Sequence, residues 1–222
     1  MFYIVVSSYL FIPIGFFAFG KGLKDRLPLI LGIYGIIFFT FIACYNYFPR
    51  DREIRKLVQL FYTFLEYVFF AVIFWINIKN DRFRKIIVTL SFLFLFFLVF
   101  YFFRIKLVRL DSVPIAIETI LVLIYITYFF YETFKKSTEF YIYNHYCFWL
   151  SIGILIYLGG SFFFYILIND LSAEEVKSFG NVTYVAEIIK NVLFSVAVYV
   201  YYKNPISKIS RSNSRVPYLD IN

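Results

Sequence analysis

Charge is what this sequence has least of. Lys, Arg, Asp and Glu supply only 16% of its 222 residues, while hydrophobic side chains supply 62%, against about 25% and 45–50% in soluble domains. A water-soluble fold of this length cannot cover itself with so few charges. That excludes a soluble enzyme or binding domain, and the short polar segments between the apolar runs leave no room for one outside a membrane. Histidine is scarcer still: His145 is the only one, which excludes a His-based metal cluster. Its place at the start of an apolar run, beside Asn144 and Tyr146, gives it a structural reading in the headgroup zone, with pH sensing as the sharper alternative. The two cysteines, Cys44 and Cys147, belong at opposite membrane faces. That is far beyond the roughly 7 Å between Cα atoms that a disulfide allows, so both read as small apolar packing residues. The nine glycines form no phosphate-binding loop. No concentrated basic face with stacking aromatics is present, so nucleic-acid binding is not expected. No cofactor is implied, and catalysis is not indicated.

What is abundant is aromatic and aliphatic. Phe contributes 32 residues and Tyr 21, and the mean hydropathy is +0.77. A helix crosses the hydrocarbon core with roughly 20 mainly apolar residues. Seven stretches qualify, at about 2–20, 28–48, 57–78, 86–103, 112–134, 142–168 and 179–202. Runs such as LSFLFLFFLVFYFF (90–103) lack the alternation of a membrane strand. The expected fold is therefore an all-α membrane protein, a seven-transmembrane-helix bundle over 1–202 followed by a short basic tail, 203–222. Pro13 and Pro114 fall inside spans, where they are tolerated. The sixth span is long enough to tilt. Neither an internal repeat nor a broken-helix pattern stands out, which counts against the common inverted-repeat transporters.

The amino terminus, MFYIVVSSYLF, has no basic region or small-residue cleavage site and reads as a retained first helix. The loops after the first, third and fifth spans, with the tail, hold 13 of the 22 Lys and Arg; the other loops hold 8. This bias places the amino terminus outside and the carboxyl terminus in the cytoplasm. The Ser-rich tail reads as a disordered end touching anionic lipid, or as a docking peptide for a partner.

The informative residues are those a bilayer should exclude. Glu66, Glu118, Glu187 and Lys190 lie inside spans, and such residues usually face the bundle interior or a cavity. Helical spacing joins each to further polar residues. Gln59, Thr63 and Glu66 share a face, as do Asp111, Glu118, Tyr125 and Glu132, and as do Asn181, Tyr184, Glu187, Asn191 and Ser195. At 1.5 Å per residue the three acids lie about 9–14 Å deep and Lys190 near 16 Å, so the four are expected to converge at one level. Thr40, Ser7 and Ser8 are plausible neighbours. Glu187 and Lys190, three residues apart in the favourable order, are suited to neutralise each other. Glu66 and Glu118 then lack a cation and either take up a proton or are compensated by a ligand. A purely structural clamp is the competing reading. Ser151, Gly153, Gly159, Gly160 and Ser161 supply small surfaces for close helix approach.

Four stretches together, FYTFLEYVFF (61–70), ETILVLIYITYFFY (118–131), FWLSIGILIYLGGSFFFYIL (148–167) and EIIKNVLFSVAVY (187–199), resemble a seven-helix membrane family of Bacteroidota. In that family similar segments stand alone or beside sensor kinases. Glu66, Glu118, Trp149, Lys190 and Asn191 fall on its signature positions. The resemblance implies a sensory module of the bacterial inner membrane that acts through a membrane or cytoplasmic signalling partner. On this reading Glu66, Glu118, Glu187, Lys190, Asn191, Thr63, Tyr125 and Tyr184 surround a small or lipidic ligand. Three alternatives stand beside it. The first is a retinal-binding photoprotein with Lys190 as Schiff-base lysine, although Glu187 precedes Lys190 by three positions where microbial rhodopsins place the acid four before. The others are a proton-coupled transporter with Glu66 and Glu118 as relay, and a structural subunit of a membrane complex.

Overall fold

Continuous apolar runs become helices in hydrocarbon because each backbone N–H must find its acceptor within its own segment. The computed structural model describes residues 1–19, 26–44, 52–104, 112–136, 142–167 and 171–203. Among them the order is α1 (Phe2–Ser8), α2 (Phe11–Phe19), α3 (Arg26–Cys44), α4 (Arg52–Asn77), α5 (Asp81–Arg104), α6 (Ser112–Lys136), a 3-10 turn (Ile142–Asn144), α7 (Tyr146–Leu167) and α8 (Ala173–Lys203). Each of α3 to α8 contains a stretch long and apolar enough to cross a membrane, and α1 with α2 makes a shorter apolar segment. The chain is an all-helical bundle of six or seven such helices, the architecture of a multi-pass membrane protein. The tail at 204–222 lies outside the described residues.

Beyond α4 and α5 each starting five residues before the expected span, three details depart from the sequence reading. The first span is not a regular α-helix throughout: it tightens at Tyr9 and Leu10, between α1 and α2. Pro13 is the cause, since it has no N–H to return to the carbonyl of Tyr9. The chain tightens there, with Tyr9 and Leu10 N–H donating to the carbonyls of Val6 and Ser7 at 3.3 and 3.1 Å. The backbone stays helical in its angles at Tyr9 (φ −63°, ψ −26°), so the junction is a local tightening of one apolar segment, Phe2–Ala18. The sixth span is shorter than its apolar run, because α7 starts only at Tyr146. The Cys147 N–H donates to His145 Nδ1 at 3.3 Å, satisfying an otherwise orphaned helix donor. Burial, with Lys79 nearby, brings the His145 imidazole down to about 4, so this acceptor is neutral at pH 7 and the structural reading of His145 is favoured over pH sensing. The last helix begins six residues before the expected start. Ser172 and Glu175 form a capping box there, in which the Ser172 N–H and hydroxyl donate to Glu175 Oε2 at 2.8 and 2.7 Å.

Helix α8 packs against α7 on one side and against α1, α2 and α3 on the other. Helix α4 packs on α3, α5 and α6, and α6 on α7. Helix α5 turns Phe92, Leu93, Phe96, Phe100 and Phe103 outward, as a lipid-facing helix should. The small residues of α7 divide by face. A Cβ on Gly160 would lie 2.7 Å from Ala186 Cβ, and one on Gly153 would lie 3.3 Å from Leu193 Cβ and 3.4 Å from the Lys190 carbonyl, whereas Gly159 has nothing within 4 Å. Only Gly153 and Gly160 therefore form the seam with α8, and Gly159 does not share the packing role expected of it. The two adjacent glycines should respond to alanine with opposite signs. Gly159→Ala is expected to be neutral or to stabilise by up to about 1 kcal/mol through helix propensity, while Gly160→Ala should lose about 1–3 kcal/mol to overpacking. Thermal unfolding of both variants in detergent checks this.

Candidate intramembrane polar centre

Helix α8 brings three polar side chains to successive positions of the interior, and each finds its partner on another helix. Lys190 is completely buried (0% exposed), and its Nζ lies 3.1 Å from Glu66 Oε1 of α4, itself only 3% exposed. The hydroxyl of Tyr157, on α7, donates to the other oxygen, Glu66 Oε2, at 2.8 Å. The Tyr157 ring also lies 3.7 Å from the ammonium, with Tyr9, Tyr34 and Phe70 completing the surround at 5.5, 5.6 and 5.9 Å. One carboxylate and the faces of aromatic rings together replace the water an ammonium loses on burial.

The expected pairing of Glu187 with Lys190 along α8 is thereby replaced. Lys190 reaches across the bundle to Glu66, and Glu187, one turn earlier and half-buried, accepts a hydrogen bond from the Tyr9 hydroxyl. Asn191 Nδ2 donates to Ser8 Oγ at 2.8 Å, and Ser8 in turn donates to the Val5 carbonyl at 2.6 Å. Both of these contacts fall at the α1–α2 junction. The tightened turn in the first span is therefore tied by two side chains of α8 to the same centre that holds the ion pair.

Glu118, on α6, is 3% exposed, and its Oε1 has no hydrogen-bond partner among the described residues. It lines a cavity of about 40 Å3 together with Glu66, Thr63, Tyr62, Tyr157 and Ser161. A water needs roughly 10–15 Å3 of such space and two or more polar partners. The chamber therefore suits water or a small ion; it is too small for an organic ligand.

Of the expected site residues, Glu66, Glu118, Thr63, Lys190, Glu187 and Asn191 come together in this way. Tyr125 does not. Its hydroxyl lies 2.9 Å from that of Tyr67, which lies 3.0 Å from Ser91 Oγ, a separate chain between α4, α5 and α6. Tyr184 is half-buried and makes none of the centre's hydrogen bonds. Glu132, at the far end of the same stripe, accepts the Lys79 N–H at 2.8 Å. Asn181 is exposed, and Asp111 and the Gln59 side chain lie outside the described residues. Of the proposed neighbours Ser8 is inside, whereas Ser7 is exposed and Thr40 donates to its own helix at Ile36. Trp149 donates from Nε1 to the Tyr143 carbonyl at 2.8 Å, at the start of α7 and away from the centre. Among the described residues no group of three or more His, Cys, Asp or Glu is placed to hold a metal ion.

The sequence reading missed Tyr9 and Tyr157. With 21 tyrosines in the chain, neither stands out by type, and only the depth they share with the buried acids could have singled them out. No family model, curated protein or solved structure matches the chain.

Proposed function

We propose that this protein is a proton-responsive sensor module of the bacterial inner membrane. In this reading the amino terminus is outside, the carboxyl terminus is in the cytoplasm, and the module acts through a signalling partner. The observation that carries it is Glu118, whose Oε1 has no hydrogen-bond partner among the described residues and which lines a water-sized polar cavity with Glu66. Glu66 and Lys190 neutralise each other, so among the described residues Glu118 has no ion-pair partner of its own, and a proton is the smallest ligand that completes it. A proton taken up at Glu118 changes the charge that faces the Glu66–Lys190 pair across the cavity, and α8, which Glu187 and Asn191 tie to α1 and α2, carries that change. The small organic or lipidic ligand of the sequence reading is replaced here by a proton, on the ground of volume.

Infrared titration of the purified protein in lipid tests the proposal. Wild type should show a carboxylic-acid carbonyl band that changes with pH. Glu118→Gln should remove that band and leave circular dichroism unchanged. Identical titrations of the two proteins would sink the reading.

Proton-coupled transport is the second reading, since Glu66 and Glu118 line one cavity. Proteoliposome proton flux that Glu118→Gln abolishes would favour it over sensing. The retinal reading has the least support, because the Lys190 ammonium is packed among four aromatic rings beside a cavity far too small for a polyene.

A further inference from the structure

A second site lies away from the polar centre. Between α4 and α5 runs a groove of about 280 Å3, open at the side and lined by Phe64, Val68, Val72, Trp75, Val88 and Phe92 among others. That volume is close to the lower end of small-molecule pockets, roughly 300–1,000 Å3. Its one hydroxyl, that of Ser91, is already engaged: it donates to the Ile87 carbonyl at 2.8 Å and lies 3.0 Å from the Tyr67 hydroxyl. The wall therefore asks nothing polar of an occupant. One end is different. The Arg84 guanidinium sits 4.1 Å over the Trp75 ring, and Lys79, Arg82 and Lys85, its near neighbours in sequence, are exposed, against two described acids: Asp81, and the buried Glu132, which accepts the Lys79 N–H. Arg84 has donors to spare, since its contact to Asp81 is long, at 3.5 Å, and its side chain is 31% exposed.

We propose that this groove holds an acyl chain of an anionic phospholipid whose phosphate is bound by Arg84. The occupant follows from the joining of an apolar trough, open towards the hydrocarbon, to a basic rim at the level where a helix-end Trp meets the headgroups. Basic pockets between membrane helices select anionic lipid in the same way.

Fluorescence quenching tests it. The chain has two tryptophans, so Trp149→Phe leaves Trp75 as the single reporter inside the groove. The protein is reconstituted in phosphatidylcholine vesicles containing a minor fraction of either phosphatidylglycerol or phosphatidylcholine with brominated acyl chains, each normalised to its unbrominated counterpart. Brominated phosphatidylglycerol should quench Trp75 at about fivefold lower mole fraction, the equivalent of about 1 kcal/mol for one basic residue at an anionic surface. Arg84→Gln should erase that preference. Equal quenching by the two lipids, or a preference that survives Arg84→Gln, overturns the proposal. Native mass spectrometry of wild type and Arg84→Gln reads the same difference without the Trp149 substitution, as phosphatidylglycerol retained by the first and lost from the second. Neither measurement depends on Glu118 titrating.

Discussion

Lys190→Met is expected to destabilise the bundle by about 3–5 kcal/mol, the cost typical of removing one partner from a buried ion pair. The substitution keeps the length and apolar stem of the side chain, so packing is largely preserved. What it leaves is Glu66, 3% exposed, with the Tyr157 hydroxyl in place of an ammonium. Adding Glu66→Gln to Lys190→Met should recover most of the loss, because replacing both members of a buried pair is often close to neutral, and a Gln side chain can still accept from Tyr157. Unfolding of the two single variants and the double variant in detergent gives the coupling directly. A Lys190→Met protein as stable as wild type would mean that the pair does not hold the helices. The double variant has a further use: it retains the fold without the charges, so a protein that is stable yet unresponsive to pH would separate function from packing.

The composition made the membrane legible, and the rarity of intramembrane charge made the centre legible. Glu66, Glu118 and Lys190 were found because a bilayer leaves so few charged residues at that depth. Their partners were hidden. Lys190 meets Glu66 across 124 positions of sequence, and nothing local says that this contact prevails over the Glu187 three residues away. Tyr125 was misplaced for a geometric reason: steps of seven keep a residue on one face but carry it about 10.5 Å along the axis, out of reach of the level it was assigned to. The start of α8 is written in the sequence as Ser172 and Glu175, a capping signature that hydropathy does not register. The tightening in the first span is written there too. Pro13 is tolerated within the span, yet its missing N–H frees the carbonyl four residues earlier, at Tyr9.

That junction supplies the second large effect. A Cβ on Gly35 of α3 would lie 2.8 Å from the Tyr9 carbonyl oxygen, 2.7 Å from Pro13 Cδ and 3.3 Å from Ile12 Cβ. The first two cannot swing aside, one being backbone and the other a ring fixed to it, so Gly35→Ala must push the junction away from α3. Overpacking of this kind costs about 1–3 kcal/mol. Gly32, nearly one turn earlier on the same helix, is the control, since its Cβ would meet only the Phe16 ring at 3.7 Å, an ordinary contact. Gly32→Ala should be neutral or stabilising by up to about 1 kcal/mol. The displacement caused by Gly35→Ala should also reach the polar centre, because Tyr9 carries the hydroxyl that donates to Glu187. Tyr9→Phe should therefore destabilise the wild type by about 0.5–1.5 kcal/mol, the net worth of a typical hydrogen bond. In the Gly35→Ala background it should cost almost nothing, because the bond is already lost. A double-mutant cycle measured by thermal unfolding decides between coupling and simple addition. Additive costs would show that the glycine seat and the Tyr9–Glu187 contact are independent, and the α1–α2 junction could not then carry a change at the centre to the rest of the bundle.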